Sequence, residues 1–167
     1  MLPDHPKILS LPVLLGVMEP LRAQGKKIVF TNGCFDLLHP GHADLLQRTK
    51  ALGDILVLGL NDDASVRRQG KGLDRPINTL QARAFVLAHL ASVDYVTSFT
   101  EDTPIALIEA IKPHVLVKGG DWQPEQIVGR DVVESCGGQV LSLPLLLGYS
   151  TTSIIQKIRN SAPTGGN

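Results

Sequence analysis

An excess of charge of either sign is the first thing this sequence lacks. Sixteen Lys and Arg balance sixteen Asp and Glu. With no basic surplus, neither nucleic acid nor an anionic membrane surface is expected as a partner. Cysteine is scarce: Cys34 and Cys136 are the only two, too few for a disulfide framework, and a reduced, cytoplasmic setting is expected. No apolar run approaches the ~18 residues of a membrane helix. The stretch from Ile8 to Val17 contains Pro12 and has neither a basic leader nor a small-residue cleavage site, which counts against a signal peptide. Lys71 is not set in a Gly-x-x-x-x-Gly-Lys-Ser/Thr pattern, so there is no P-loop. His5, His89, His114, Cys34 and Cys136 have no ligand spacing, and no metal site is expected. Internal repeats, linkers and a second domain are also missing. What remains is 167 residues, 43% hydrophobic, enough for one globular domain with its own core.

The elements follow from periodicity. Residues 1–24 read as an N-terminal extension with a short amphipathic helix, Leu14 to Ala23, that Pro20 should break or kink. A domain over 25–160 follows, and 161–167 read as a frayed, glycine-rich tail. Strands are expected at Lys27–Thr31, Asp54–Leu60, Tyr95–Phe99, His114–Lys118 and Gln139–Leu143. Helices are expected at Gly41–Ala51 with Gly53 as its stop, Leu80–Ala91 capped by Thr79, Ile105–Ile111 opened by Thr103-Pro104, and Ile154–Asn160. Glu125 to Ser135 should hold one or two short helices interrupted by Gly129, and Asn61 to Pro76 reads as a loop. The run Ile55 to Leu60 is apolar throughout, as in a parallel strand covered on both faces. Strands alternating with helices mean an α/β fold, a five-stranded parallel sheet with helices on both faces and right-handed crossovers.

The chemistry concentrates at expected strand ends, where such sheets bind ligands. Thr31 to His42 reads as strand, glycine-containing turn and helix start, the geometry that binds phosphate through unpaired N–H groups and the helix dipole. Gly33 and Gly41 would let the backbone approach a ligand. His39 and His42 would share one helix face. A surface pair of histidines is the plain alternative. Ser150-Thr151-Thr152 would be a cap by default, yet three hydroxyls exceed what a cap needs. Lys118 precedes Gly119-Gly120, and Arg67, Arg68 and Lys71 lie in a basic loop. Cys34 lies near a helix start, where thiols acidify; a small packing residue is the preferred reading.

The spacing Gly-x-Phe-Asp-x-x-His-x-Gly-His after a strand resembles the nucleotidyltransferase superfamily, whose signature His-x-Gly-His stands here as His39 to His42. That resemblance implies a single Rossmann-like domain that joins a nucleotide to a phosphorylated substrate and releases pyrophosphate. Val117-Lys118-Gly119-Gly120-Asp121-Trp122 together with Glu101-Asp102-Thr103-Pro104 looks like the heptose 1-phosphate adenylyltransferases, and the likeness runs from about Gly25 to Ile158. It covers only the adenylyltransferase half of a two-activity enzyme, so a stand-alone version is expected. Glycerol-3-phosphate cytidylyltransferase is the rival. Its two motif arginines are missing at Leu145 and Ala91.

The roles below are what the resemblance implies. ATP and heptose 1-phosphate are the substrates, Mg²⁺ accompanies ATP, and the chain is a homodimer. His39, His42 and Lys118 act on the reacting phosphates. Asn32, Gly33, Cys34, Phe35, Gly41 and Gly119 lie beside the nucleotide, Asp121 accepts from its ribose, and Gly148, Ser150, Thr151 and Thr152 hold the leaving pyrophosphate. Asp36, Arg68 and Lys71 take the sugar phosphate. A nucleotide-binding module without turnover is the remaining alternative.

Overall fold

Burial separates the strands into inner and outer ones. The computed structural model describes residues 3–70, 72, 75–120 and 122–161. Its strands are β1 (Ile28–Gly33), β2 (Ile55–Asn61), β3 (Tyr95–Phe99), β4 (Val115–Gly119) and β5 (Gln139–Leu143), all parallel, in the spatial order β3-β2-β1-β4-β5. In β2 everything from Leu56 to Asn61 is buried, as a strand covered on both faces requires. Strand β5 lies at the sheet edge and is only half-buried.

Helices α1 (Leu11–Ala23), α2 (Pro40–Lys50), α3 (Asp63–Arg68), α4 (Leu80–Ala88), α5 (Ile105–Ile111), α6 (Arg130–Ser135) and α7 (Thr151–Ser161) surround the sheet. Alternate strand residues point to opposite faces, giving two cores. On one face Leu56, Leu58 and Leu60 pack with Leu46 of α2 and Leu87 of α4. On the other, Phe30 and Val57 pack with Leu14 and Met18 of α1 and Leu107, Ile108 and Ile111 of α5. The N-terminal segment runs along β3, where Ile8 forms a parallel bridge with Val96.

Some expectations are corrected. Pro20 lies inside α1 and does not end it. Its ring lacks only one amide bond, and the buried Leu14 and Met18 hold the helix on the core. Asn61 to Pro76 is not all loop: Asp62 accepts from the Ser65 amide at 2.6 Å and caps α3. Helix α5 starts after Pro104, which has no side-chain cap bond, so Thr103 is not its cap. Helix α2 ends at Lys50 with Ala51 as its cap, so Gly53 is not the stop. Gly129 does interrupt, with φ 87°, between a single 3-10 turn at Pro124–Gln126 and α6. Helix α7 begins at Thr151, ahead of the expected start, and runs to Ser161, the first residue of the expected tail; from 162 on, that tail lies outside the described residues.

Candidate active site

The chain leaves β1 for β2 on one side, while β4 lies on the other. The strand order reverses between β1 and β4, and there an open α/β sheet has its crevice. Thr31 of β1 faces Val117 of β4 in register, so Asn32 and Lys118 emerge side by side. Lys118 Nζ donates to Asn32 Oδ1 at 3.3 Å and stands 5.8 Å from the Trp122 ring centre. Above them opens a cleft of about 660 Å³, the size of a small-ligand pocket. The turn from Asn32 to Asp36, His42, Lys118, Gly119, Thr151 and Thr152 line it.

The two histidines come together as expected. His39 precedes α2 in an extended conformation, Pro40 takes the first helical position, and His42 lies in the first turn. Their rings stack with centres 3.8 Å apart, and His42 leans on Phe35 at 5.1 Å. Gly41 makes room for this: a Cβ there would come within 3.1 Å of the His39 ring. Gly33 serves Phe35 in the same way, since a Cβ would meet its ring at 2.8 Å. Both glycines therefore admit the chain's own rings.

Burial pushes the His42 imidazole down to about 4, helped by His39 and Arg75 and opposed by the Leu37 carbonyl. Burial also lowers His39. Near pH 7 each ring is neutral and carries one N–H donor. The Nδ1 atoms of both rings are buried and lack a well-aligned hydrogen bond among the described residues. Among the described residues, Lys118 brings positive charge to the cleft, while Arg75 lines it paired with Asp36.

Arg75-Pro76-Ile77-Asn78 belongs to the sequence likeness to the heptose 1-phosphate adenylyltransferases, but sequence reasoning gave Arg75 no role in the site. Its Nε lies 2.5 Å from Asp36 Oδ2, with the side chains 8% and 0% exposed. Asp36 also accepts from the amides of Ile77 and Asn78, each at 2.8 Å. Its carboxylate is thus taken up within the protein, and Asp36 braces the 75–78 loop where a substrate ligand was expected. Arg83, fully buried, completes the brace: it donates to the Cys34 carbonyl at 2.7 Å, the Asn78 carbonyl at 3.0 Å and Asp63 at 2.7 Å. Such a frame holds Phe35 at φ 46°. Cys34 is buried in it, its thiol 3.1 Å from Gln69 Oε1.

The other expected residues divide. Thr152 is exposed and faces the cleft, whereas Thr151 is buried and donates to the Leu37 carbonyl at 3.4 Å. Ser150 Oγ accepts from the Ser153 amide at 3.0 Å, so it caps α7 and does not line the cleft. Gly148, at φ 86°, lies in the turn before it. Arg68 turns away: it pairs with Asp102 at 2.6 Å and also donates to the Thr100 carbonyl. Lys71 and Asp121 lie outside the described residues. Gln69, Trp122 and Leu145 also line the cleft; no signal in the sequence marks Gln69, while Leu145 stands where the rival motif has its arginine and Trp122 closes the Lys118 motif. Among the described residues no three His, Cys, Asp or Glu side chains gather to hold a metal ion.

Known proteins resemble this chain in sequence and in fold. The chain is 59% identical over 152 residues to the bifunctional protein HldE of Geobacter metallireducens, covering 91% of this chain and 31% of that protein. It is 54% identical over 152 residues to the HldE of Pseudomonas aeruginosa, covering 91% and 32%. The chain thus spans about a third of the length of these relatives. Among solved structures, a lipopolysaccharide core biosynthesis protein from Thermoplasma volcanium superposes with a TM-score of 0.59 at 26% identity, over 73% of this chain and 98% of that one. Pantoate-beta-alanine ligase from Francisella tularensis shares the fold, with a TM-score of 0.59 at 17% identity over 91% and 76%. Residues 30–157, from β1 through the first turns of α7, match the cytidylyltransferase-like pattern; the chain belongs to the cytidylyltransferase-like family.

Proposed function

We propose that the chain is an adenylyltransferase that joins ATP to D-glycero-β-D-manno-heptose 1-phosphate. A phosphate oxygen of the sugar attacks the α-phosphorus of ATP. The bond from that phosphorus to the oxygen bridging it to the β-phosphate breaks, pyrophosphate leaves, and ADP-heptose forms for lipopolysaccharide or another heptose-containing surface glycan. The observation that carries the reading is the convergence of His42, with His39 stacked on it, Lys118 and the first turn of α7 on one cleft at the sheet's switch point. The identity to HldE proteins over 91% of the chain supports the choice of sugar.

This reaction asks the protein for positioning and charge stabilisation more than for covalent chemistry. His39 and His42 donate neutral N–H bonds to the α- and β-phosphates, adding no charge that water would have to solvate. Lys118, aimed by Asn32, stabilises the charge that builds at the α-phosphorus. The α7 amides and Thr152 receive the departing pyrophosphate. Magnesium fits as part of the ATP complex; the described residues make no carboxylate cluster for it, and Asp36 is already taken up by Arg75 and two amides.

The cytoplasm, where ATP is supplied, is the proposed setting; among the described residues no helix is long and apolar enough to cross a membrane. A homodimer is proposed through the half-buried β5 edge and its exposed neighbours Leu146 and Leu147. The test is a panel of ATP, CTP and GTP crossed with sugar 1-phosphates and glycerol 3-phosphate, followed by pyrophosphate release. Turnover is expected with ATP and the heptose phosphate. Equal or faster turnover with CTP and glycerol 3-phosphate would replace this reading by a cytidylyltransferase, and nucleotide binding without pyrophosphate from any pair by a binding module.

A further inference from the structure

Beside the main cleft lies a smaller chamber of about 130 Å³. Asn32, Gln69, Lys118 and Trp122 line both spaces, so the two communicate across the lysine. The chamber has a different character. Its floor is apolar, with Leu116 1% and Ile127 5% exposed. Apart from Lys118, which it shares with the cleft, its walls carry short polar groups: the amides of Gln69 and Gln126, the Thr103 hydroxyl and the Asp102 carboxylate. Arg68 already engages Asp102 through Oδ1, which fixes that carboxylate and offsets its charge while Oδ2 stays available.

Two arguments say what such a chamber takes. Displacement at phosphorus runs with the attacking and leaving oxygens roughly in line. If pyrophosphate departs toward His42 and α7, the acceptor arrives from across Lys118. The chamber meets that condition, being lined by Lys118 but by none of His42, Thr151 or Thr152. The second argument is chemical. Sugar hydroxyls donate and accept at once, and amide, hydroxyl and carboxylate side chains answer both needs. The indole of Trp122 and the apolar floor suit the C–H face of a sugar ring. At about 130 Å³, against about 660 Å³ for the main cleft, the chamber suits one ring rather than a whole nucleoside.

We infer that this chamber is the glycosyl subsite, in which Thr103, Gln126 and Asp102 recognise the hydroxyls of the acceptor sugar while its phosphate reaches past Asn32 to Lys118. The inference rests on the sugar-phosphate transfer proposed above and adds the residues that select the sugar.

The test uses Thr103→Val and Gln126→Ala, singly and together. Both side chains are exposed at their rims, so the fold should survive, and a melting curve checks it. KM for heptose 1-phosphate and for ATP is measured by pyrophosphate release, and heptose 1-phosphate binding by calorimetry. The double variant should raise KM for the sugar phosphate about tenfold or more, as expected for two lost hydrogen bonds, with KM for ATP moved less than about twofold. An equal rise for ATP would assign the chamber to the nucleoside, and unchanged constants would leave it to solvent; either result overturns the inference while wild-type turnover keeps the proposed reaction. A wild-type protein that binds ATP but no sugar 1-phosphate would overturn the reaction itself, and this subsite with it.

Discussion

His42 carries a proton balance that can be measured. An unfolded chain protonates this histidine near 6.5, whereas the folded protein does so only near 4. The folded state therefore binds fewer protons as acid is added. The stability this residue contributes is whole above about pH 6.5 and is lost as pH falls toward 4. The expected outcome is a melting temperature that drops across that window in the wild type and drops less in His42→Gln; parallel curves would refute the burial argument. In turnover, His39→Ala or His42→Ala should cost about 10²–10³ in kcat, the usual loss for one donor to transition-state charge, with the fold kept by circular dichroism. Near-wild-type rates would return the pair to a surface role. Arg75→Met should cost about 3–5 kcal/mol in stability, since it leaves Asp36 without its buried partner, measurable by urea unfolding. A loss well under 1 kcal/mol would mean that the Ile77 and Asn78 amides suffice for Asp36. The histidines were legible because their spacing is local. Arg75 was not, because it meets Asp36 only after β2 and α3 have returned the chain, and a one-dimensional pattern holds no record of that return.

At the scale of elements, α7 separates capping from ligand binding within one Ser-Thr-Thr run. Ser150 makes the cap bond to Ser153, and Thr152 alone stands exposed at the cleft. Ser150→Ala should lower stability by about 1 kcal/mol and leave ATP affinity almost unchanged. Thr152→Ala should weaken ATP but not AMP, because AMP lacks the phosphates that reach the helix. Two calorimetric titrations with a melting curve decide it, and an equal loss for ATP and AMP in Thr152→Ala would mean a distorted pocket. The strands were the most legible elements, since buried parallel strands have to be apolar runs bounded by turn residues, and all five lie within two residues of their expected bounds. Short helices were not. Helix α3 has six residues and too few turns to show a period, and only the Asp62 cap could have marked it. Chain direction at the site was legible from glycines, but their purpose was not. Room for His39 and Phe35 is a matter of side chains packing on one another in space.

For the whole molecule, the two edges of the sheet differ. Strand β5 is half-buried with apolar Val140, Leu141 and Leu143, and nearby Leu147 is 92% exposed. If a second copy covers this face, sedimentation should give a dimer that Leu147→Asp weakens. A wild-type monomer at micromolar concentration would exclude it. The β3 edge is covered at Val96 by the chain itself: the Leu9 amide donates to the Val96 carbonyl, the Val96 amide to the Lys7 carbonyl, each within 2.9 Å, and Lys7 Nζ reaches the Val93 carbonyl at 2.7 Å. That closure limits how far association can go. A body with one open edge pairs once and stops, whereas a body open at both ends can add copies without limit. The strip from Lys7 to Leu9 is therefore a chain terminator in the polymer sense. A protein trimmed of residues 1–9 would keep its cleft and, where a second copy already covers β5, acquire a second growing end, with a fibre as the expected failure on storage.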